Sequence, residues 1–455
     1  MPAIKSVPTS TYRLLLRNGI TFQHVVAIVP YFTQLCAGSL SISSVFDTHD
    51  AGGGRRAFDP TLLDRKSGGE YGFAVLNQAL KAARMPLIID INPNQSATSH
   101  DSLWWRSVLE WGEEGHYASH FDIDWQERLN LPILERPLAE EIQAGRLTLT
   151  FDVPSSGLGI SYSNDFLPLS PRSYAIALDG IDNDLAGRLR KAASQAAASR
   201  PDGFHQDLAL AYRSSTLTQR LELAARFSQI LKDPVQFQAL LSSQYWQLIT
   251  ASQARHRLNY RHSYDSFHSA GVRVEVPAVF DDFHEAALEL LGTTQISGFR
   301  VNQVDGLSFP SDYLQQLRRK AGKRTYLVTD KILLDHERHP DDWLVQGTAG
   351  YEFISAVSNV LVDHTRIPVI EQLYARIIGS EARRGGHYTH AKSAILHKKF
   401  APELHSLARL LHSIAPDAPD ELETRHAISE AIIGLPVFRT YATPAESQDS
   451  HRSIF

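Results

Sequence analysis

Few positions in this chain combine a reactive side chain with a setting that would hold it still. Asp90, Asn302 and Asp330 each follow a short apolar run. Polar groups directly after buried parallel strands are where α/β folds build their sites, so these three are the first candidates and are expected to converge on one face. Trp104, Trp105 and Trp125 offer flat faces on which a ligand ring could stack, though filling a core is the commoner role of tryptophan. His116 and His120 lie four apart, but no third ligand and no His-Glu-x-x-His pattern accompany them, so a solvated pair and no metal site are expected. Gly52-Gly53-Gly54 precedes Arg55-Arg56 without the Gly-Lys-Ser/Thr of a nucleotide-phosphate loop, which leaves a flexible loop. Asp305 before Gly306 is expected to shape a turn. The single cysteine, Cys36, excludes an internal disulfide and a cysteine zinc site.

Alternating strands and helices must position such residues. Phe73, Leu76, Leu80 and Ala83 recur at helical spacing within Glu70–Met85. Pro86 stops that helix, and Leu87–Ile91 follows as a near-continuous apolar strand. Together with the apolar run Leu35–Val45, this strand-helix-strand order favours parallel pairing. The same rhythm returns in the amphipathic Phe280–Leu291, the strand Gly298–Val301, the helix Tyr313–Ala321 and the strand Thr325–Thr329. Between them lie a strand at Arg146–Phe151 and helices at Asp184–Arg200, Thr218–Leu231 and Pro234–Leu241. From Glu371 the chain reads as helical, most clearly at Leu404–Ile414 and Glu421–Ile433. The expected organisation is α/β: a first strand-helix part (1–140), a mostly helical insertion (141–255), a continuation of the strand-helix part (256–365), a helical region (366–441) and a disordered tail (442–455).

With 455 residues, 43% of them hydrophobic, the chain can bury a large core. Its net charge of −5 does not favour nucleic acid or an anionic membrane as partner. The first twenty residues show no signal peptide, and no 18-residue apolar span is present. A cytoplasmic protein without a cofactor is expected.

Twelve short stretches follow one another in the order found in the maltooligosyl trehalose synthases, a branch of the α-amylase (β/α)8-barrel superfamily. They are Pro8–Leu14, Gly68–Glu70, Asp90–Asn94, Trp104-Trp105, Phe121–Trp125, Leu131–Leu134, Leu258–Arg261, Val272–Pro277, Val304–Leu307, Lys331–Leu333, Gly347–Tyr351 and Pro436–Tyr441. The chain thus resembles that family from Thr11 to Tyr441, most weakly between Leu167 and Ser243. The resemblance implies an amylase-type (β/α)8 TIM barrel with a helical insertion. About six barrel strands can be placed, and the family's last strands and its third carboxylate fall beyond Phe455, so the barrel is expected to be incomplete.

The family's reaction, on this resemblance, is an intramolecular transglucosylation. It converts the reducing-end α-1,4 link of a maltooligosaccharide into an α,α-1,1 link with retention. Retention takes a carboxylate nucleophile and a carboxylic acid about 5–5.5 Å apart. Asn302 stands where the family has its nucleophilic Asp, and a neutral amide is a very poor nucleophile. The loss should amount to several tenfold steps in rate, each about 1.4 kcal/mol. Asp330 stands where the family has its acid/base Glu and is one methylene shorter. A displacement near 1 Å costs on the order of a hundredfold. Gln95 replaces a His, and the family's His-Gly-Tyr-Asp segment aligns with Gly53–Arg56. Arg300 would have lost its carboxylate partner to Asn302, with Asp90 the candidate replacement. Asp90, Gln95, Arg300, Gln303, Trp104 and Trp105 are the expected substrate contacts.

The leading expectation is a catalytically impaired relative, at most an α-glucan-binding pseudoenzyme. One alternative is an active carbohydrate enzyme of altered mechanism, with Asp330 as acid and Asp90 as second carboxylate. Another is one half of a split enzyme. The expected ligand is an α-1,4-glucan or maltooligosaccharide, and self-association or a second chain is expected to cover the open barrel edges.

Overall fold

Parallel strands cannot be joined by tight turns, so each pair calls for a crossover, and the amphipathic stretches of this chain supply them. The computed structural model describes residues 7–51, 54–263, 266–334, 337–378, 384–415 and 417–441. Gly52, Gly53 and the tail 442–455 lie outside the described residues.

Two compact units emerge, one formed by Met1–Thr48, Pro60–Asn94 and Val274–Phe455, the other by His49–Asp59 and Gln95–Arg273. The first contains a six-stranded sheet: β1 (Thr11–Leu14), β2 (Ser39–Ile42), β3 (Leu87–Ile91), β4 (Ile296–Val301), β5 (Tyr326–Thr329) and β6 (Gly347–Thr348), side by side in that order. Every neighbouring pair is parallel. Helix α1 (Phe22–Gln34) joins β1 to β2, α2 (Gly69–Ala82) leads into β3, α3 (Pro277–Thr293) into β4, and α4 (Pro310–Ala321) joins β4 to β5. This is the βα order of a (β/α)8 barrel, of which the described residues supply six strands.

The helices earn their places by one apolar stripe each. α1 buries Phe22, Val25, Val29 and Phe32, α2 buries Phe73, Leu76 and Leu80, and α4 buries Tyr313, Leu314 and Leu317. Within the sheet Leu40, Ile42, Ile89, Phe299, Val301 and Leu327 are fully buried. Each such side chain contributes about 1.5–3 kcal/mol of burial. Gly298 lets β4 and β5 approach, since a Cβ there would overlap the Tyr326 carbonyl.

After β6 the pattern changes. Helices α5 (Tyr351–Val360) and α6 (Ile367–Ile378) bury none of their residues. They nevertheless carry stripes at helical spacing, Phe353, Ile354, Val357 and Leu361 on and just beyond the first, Ile370, Leu373 and Ile377 on the second, all exposed. Helices Arg384–Lys398, Ala401–Ile414 and Glu421–Gly434 then pack on one another.

The second unit holds an antiparallel sheet of Leu147–Asp152, Gly157–Tyr162 and Asp165–Pro168, and a parallel pair of Leu129–Leu134 with Trp246–Thr250. Four helices follow one another at Asp184–Ser194, Pro201–Arg213, Leu217–Lys232 and Pro234–Ser242. The helix expected over Asp184–Arg200 stops at Ser194, and Pro201 begins another, because proline lacks an N–H and suits the first helical turn. His116 and His120 do not share a helix. His120 sits in a short 3-10 turn, is 3% exposed and packs edge-on against Trp104, so it is not half of a solvated pair. No helix among the described residues is long and apolar enough to cross a membrane.

Candidate functional site at the strand ends

Strand register decides which side chains meet. Asp90 of β3 lies beside Arg300 of β4, and Val301 of β4 lies beside Thr329 of β5. The ladder continues one step past the strands, where the Asn302 N–H donates to the Ile91 carbonyl at 2.9 Å and the Asp330 N–H to the Val301 carbonyl at 3.1 Å. Asn302 and Asp330 therefore stand level just past the ends of two adjacent strands, about 4.8 Å apart, and Asp90 lies on the next strand two residues below that level, beside Arg300. Side chains at one register level of parallel neighbours share a face, so Asn302 and Asp330 stand side by side.

Asp90 is locked. Both its oxygens accept from the Arg13 guanidinium of β1, at 2.9 and 2.6 Å, and Arg300 Nη1 lies 3.7 Å away. The Asp90 side chain is 5% exposed. Burial alone would weaken the Arg13 charge, but the hydrogen bonds and charge of Asp90 outweigh it and push the guanidinium above its ordinary value. The predicted pairing of Arg300 with Asp90 is present, with Arg13 as the closer partner.

Asp330 is held differently. Burial raises its carboxyl above the ordinary range, opposed by the Gln303 N–H at 2.8 Å and by the Arg300 charge. Gln303 is left-handed, at φ 54°, and this turn aims its N–H back at Asp330. A buried carboxyl that keeps its proton to higher pH than usual has the character of a general acid. Nearby, Asn92 Oδ1, Arg300 Nε, Asn302 Oδ1 and Gln303 Oε1 are buried without a hydrogen-bond partner. Buried polar atoms are rarely left so.

The loops bearing these groups are braced from the far end of the described chain. Gly306 abuts Asn94, whose amide a Cβ would overlap. Arg439 donates to the carbonyls of Asp305 and Ser308, both at 2.8 Å, and to that of Leu307. The Tyr441 hydroxyl donates to Asp305. Lys331 is fully buried, 2.6 Å from Glu337 and 3.9 Å from Asp305, with its ammonium 5.2 Å over the Tyr441 ring. Asp305 thus does more than shape a turn, because its carboxylate anchors the Pro436–Tyr441 segment.

Gln95, Trp104 and Trp105 belong to the second unit. Gln95 Oε1 accepts from the Ser269 hydroxyl at 2.7 Å. Trp104 and Trp105 are 2% and 1% exposed, the first stacked on Tyr117, the second edge-on to Phe121 and Tyr260. Neither offers a free face to a sugar, which corrects the expectation for both: they form the apolar stripe of helix Leu103–Trp111 with Val108 and Leu109. Sequence reasoning did not single out Arg13 or Asn92, though both fall within recognised stretches. The one signal for Arg13 was a charge inside a short strand. Among the described residues no group of three His, Cys, Asp or Glu is placed to hold a metal ion.

No protein-family model matches the chain. A Mycobacterium tuberculosis protein provisionally named a maltooligosyl trehalose synthase is 28% identical over 365 residues, 78% of this chain and 38% of that protein. The maltooligosyltrehalose synthase of Arthrobacter ramosus superimposes with a TM-score of 0.73 at 26% identity, over 95% of this chain and 48% of that one. A hypothetical maltooligosyl trehalose synthase of Sulfolobus tokodaii shares the fold, with a TM-score of 0.72 at 21% identity, over 98% of this chain and 50% of its own. The chain is similar to these synthases in sequence and fold, and spans half or less of their length.

Proposed function

We propose that this divergent relative of the maltooligosyl trehalose synthases binds the end of an α-1,4-glucan at the strand ends around Asp90, Arg300 and Asp330, and does not perform the retaining transfer. One observation carries the reading: the residue one strand from Asp330 at the same level is Asn302. In retaining transfer a carboxylate takes the anomeric carbon while the acid protonates the departing oxygen. Asn302 brings no charge to the oxocarbenium-like transition state, so Asp330 supplies the acid half alone.

The altered mechanism with Asp90 as second carboxylate is disfavoured, since both Asp90 oxygens already accept charge-assisted bonds from Arg13. Binding is supported by the unpartnered Asn92, Arg300, Asn302 and Gln303 atoms, which are complementary to sugar hydroxyls. Asn302 counts against turnover in the split-enzyme reading as well. The exposed stripes of α5 and α6 support self-association or a covering second chain.

The test is to incubate the purified chain with maltopentaose and follow loss of reducing ends, with ligand binding measured in parallel. Binding without turnover is expected. Turnover within about tenfold of an intact relative, a gap of only 1.4 kcal/mol, would remove the basis for an impaired site.

A further inference from the structure

The second unit contains a groove of about 450 Å³ that the strand-end chemistry does not use. Its floor is one face of helix Pro201–Arg213, with Asp202, His205 and Arg213 at spacings of three and eight, and its wall is formed by the turn around Ser155 and by Arg106. His205 is fixed in the floor. Its Nε2 meets Glu110 Oε2 at 3.0 Å and its Nδ1 meets the Ser156 carbonyl at 3.4 Å. Both ring nitrogens face acceptors, one of them a carboxylate whose side chain is 2% exposed. Burial works against a charge on the ring, and Glu110 overcomes it, which raises the histidine above its ordinary value.

Arg106 and Arg213, in contrast, pair with no carboxylate among the described residues. The Ser155 hydroxyl in the same wall is buried without a partner. Asp202 is the one acidic group among the described residues lining the groove, and eleven residues of helix place it about 16 Å from Arg213. The groove therefore has a cationic stretch, with Glu110 already committed to His205. Guanidinium forks and a hydroxyl are the donors that hold tetrahedral oxyanions.

We propose that this groove binds a small oxyanion of the phosphate or phosphate-ester class, through Arg106, Arg213 and Ser155. Binding here is independent of the glucan site, because none of these residues belongs to the strand ends.

The experiment is calorimetric titration of the full chain with inorganic phosphate at constant ionic strength, with sodium chloride as the matched control. Saturable phosphate binding is expected, weakened about tenfold or more in Arg106→Gln and in Arg213→Gln, the loss of one charge-assisted contact. Asp202→Asn binds at least as tightly as the parent. Circular dichroism and melting curves matching the parent show that each variant folds. Absence of phosphate binding by the parent, equal heat from chloride, or unchanged affinity in both arginine variants overturns the proposal. Glucan binding measured on the same variants stays unchanged, so failure here and failure of the glucan reading are told apart.

Discussion

Replacing Asn302 by Asp puts a carboxylate back beside Asp330, and its consequences can be worked out before any enzyme assay. The two positions end adjacent strands at one level, so the carboxyl centres would lie roughly 5–6 Å apart. Two like charges at that distance repel by about 3 kcal/mol at an effective dielectric of 20. Arg300 offsets part of this, which leaves roughly 1–2 kcal/mol. Burial already raises Asp330, and the new charge raises the pair further. A carboxyl raised in the folded state contributes its stability below the unfolded value and loses it as pH rises through the folded one. Asn302→Asp should therefore match the parent in melting temperature near pH 4 and fall below it by pH 7. The gain appears in chemistry. Combined with Asp330→Glu, which returns the missing methylene, it should release fluoride from α-maltosyl fluoride about a hundredfold faster than the parent. A fluoride electrode and melting curves against pH are sufficient. If Asn302→Asp melts like the parent at every pH, the two residues are not neighbours. If the double variant is inert, Asn302 is not the sufficient block.

Arg13→Gln leaves Asp90 buried with only the 3.7 Å contact to Arg300, and should cost about 2–3 kcal/mol, less than a fully buried pair because Arg13 is a third exposed. Adding Asp90→Asn should recover part of that in a double-mutant cycle, and an additive pair refutes the coupling. Asp330→Asn should stabilise the protein at neutral pH and lose its advantage as pH falls from the raised folded value of Asp330 to the ordinary aspartate value, read from melting curves; an unchanged difference across pH denies that Asp330 is raised. Trp104→Ala should destabilise by about 3–5 kcal/mol without selective loss of glucan affinity, whereas lost affinity at parental stability would return Trp104 to the ligand. Light scattering should show species larger than one chain, held by the stripes of α5 and α6, and a monodisperse single-chain mass would remove that expectation.

The parts legible in sequence were those where local pattern and burial agree. The run Leu87–Ile91 reads as a strand because all five residues are buried, and Phe73, Leu76 and Leu80 mark α2 because only that stripe is. Asp90, Asn302 and Asp330 could be placed because each lies close to the end of a buried strand or just past it. The fork from Arg13 could not be read, since it spans 77 positions and depends on register. Helix Pro201–Arg213 escaped notice because Phe204, Leu208 and Ala211 are a thin apolar stripe in a polar setting. α1 escaped notice because it carries Pro30 in its interior, normally a helix breaker. The tryptophans show the converse limit, since a sugar platform and a core filler have the same composition, and only neighbours such as Tyr117 and Phe121 separate them.

Strand β1 lies at one edge of its sheet, is four residues long, and has three of them exposed, yet it delivers Arg13 to Asp90. Edge strands with few buried contacts open at far lower free energy than the sheet behind them. Each time β1 peels from β2, Asp90 passes from a doubly bonded carboxylate to one faced by Arg300 alone. Release of Arg13 from Asp90 would then need only local opening of β1, not global unfolding. Exchange of the Tyr12 to Leu14 amides counts the moments when Asp90 is free to accept a new partner.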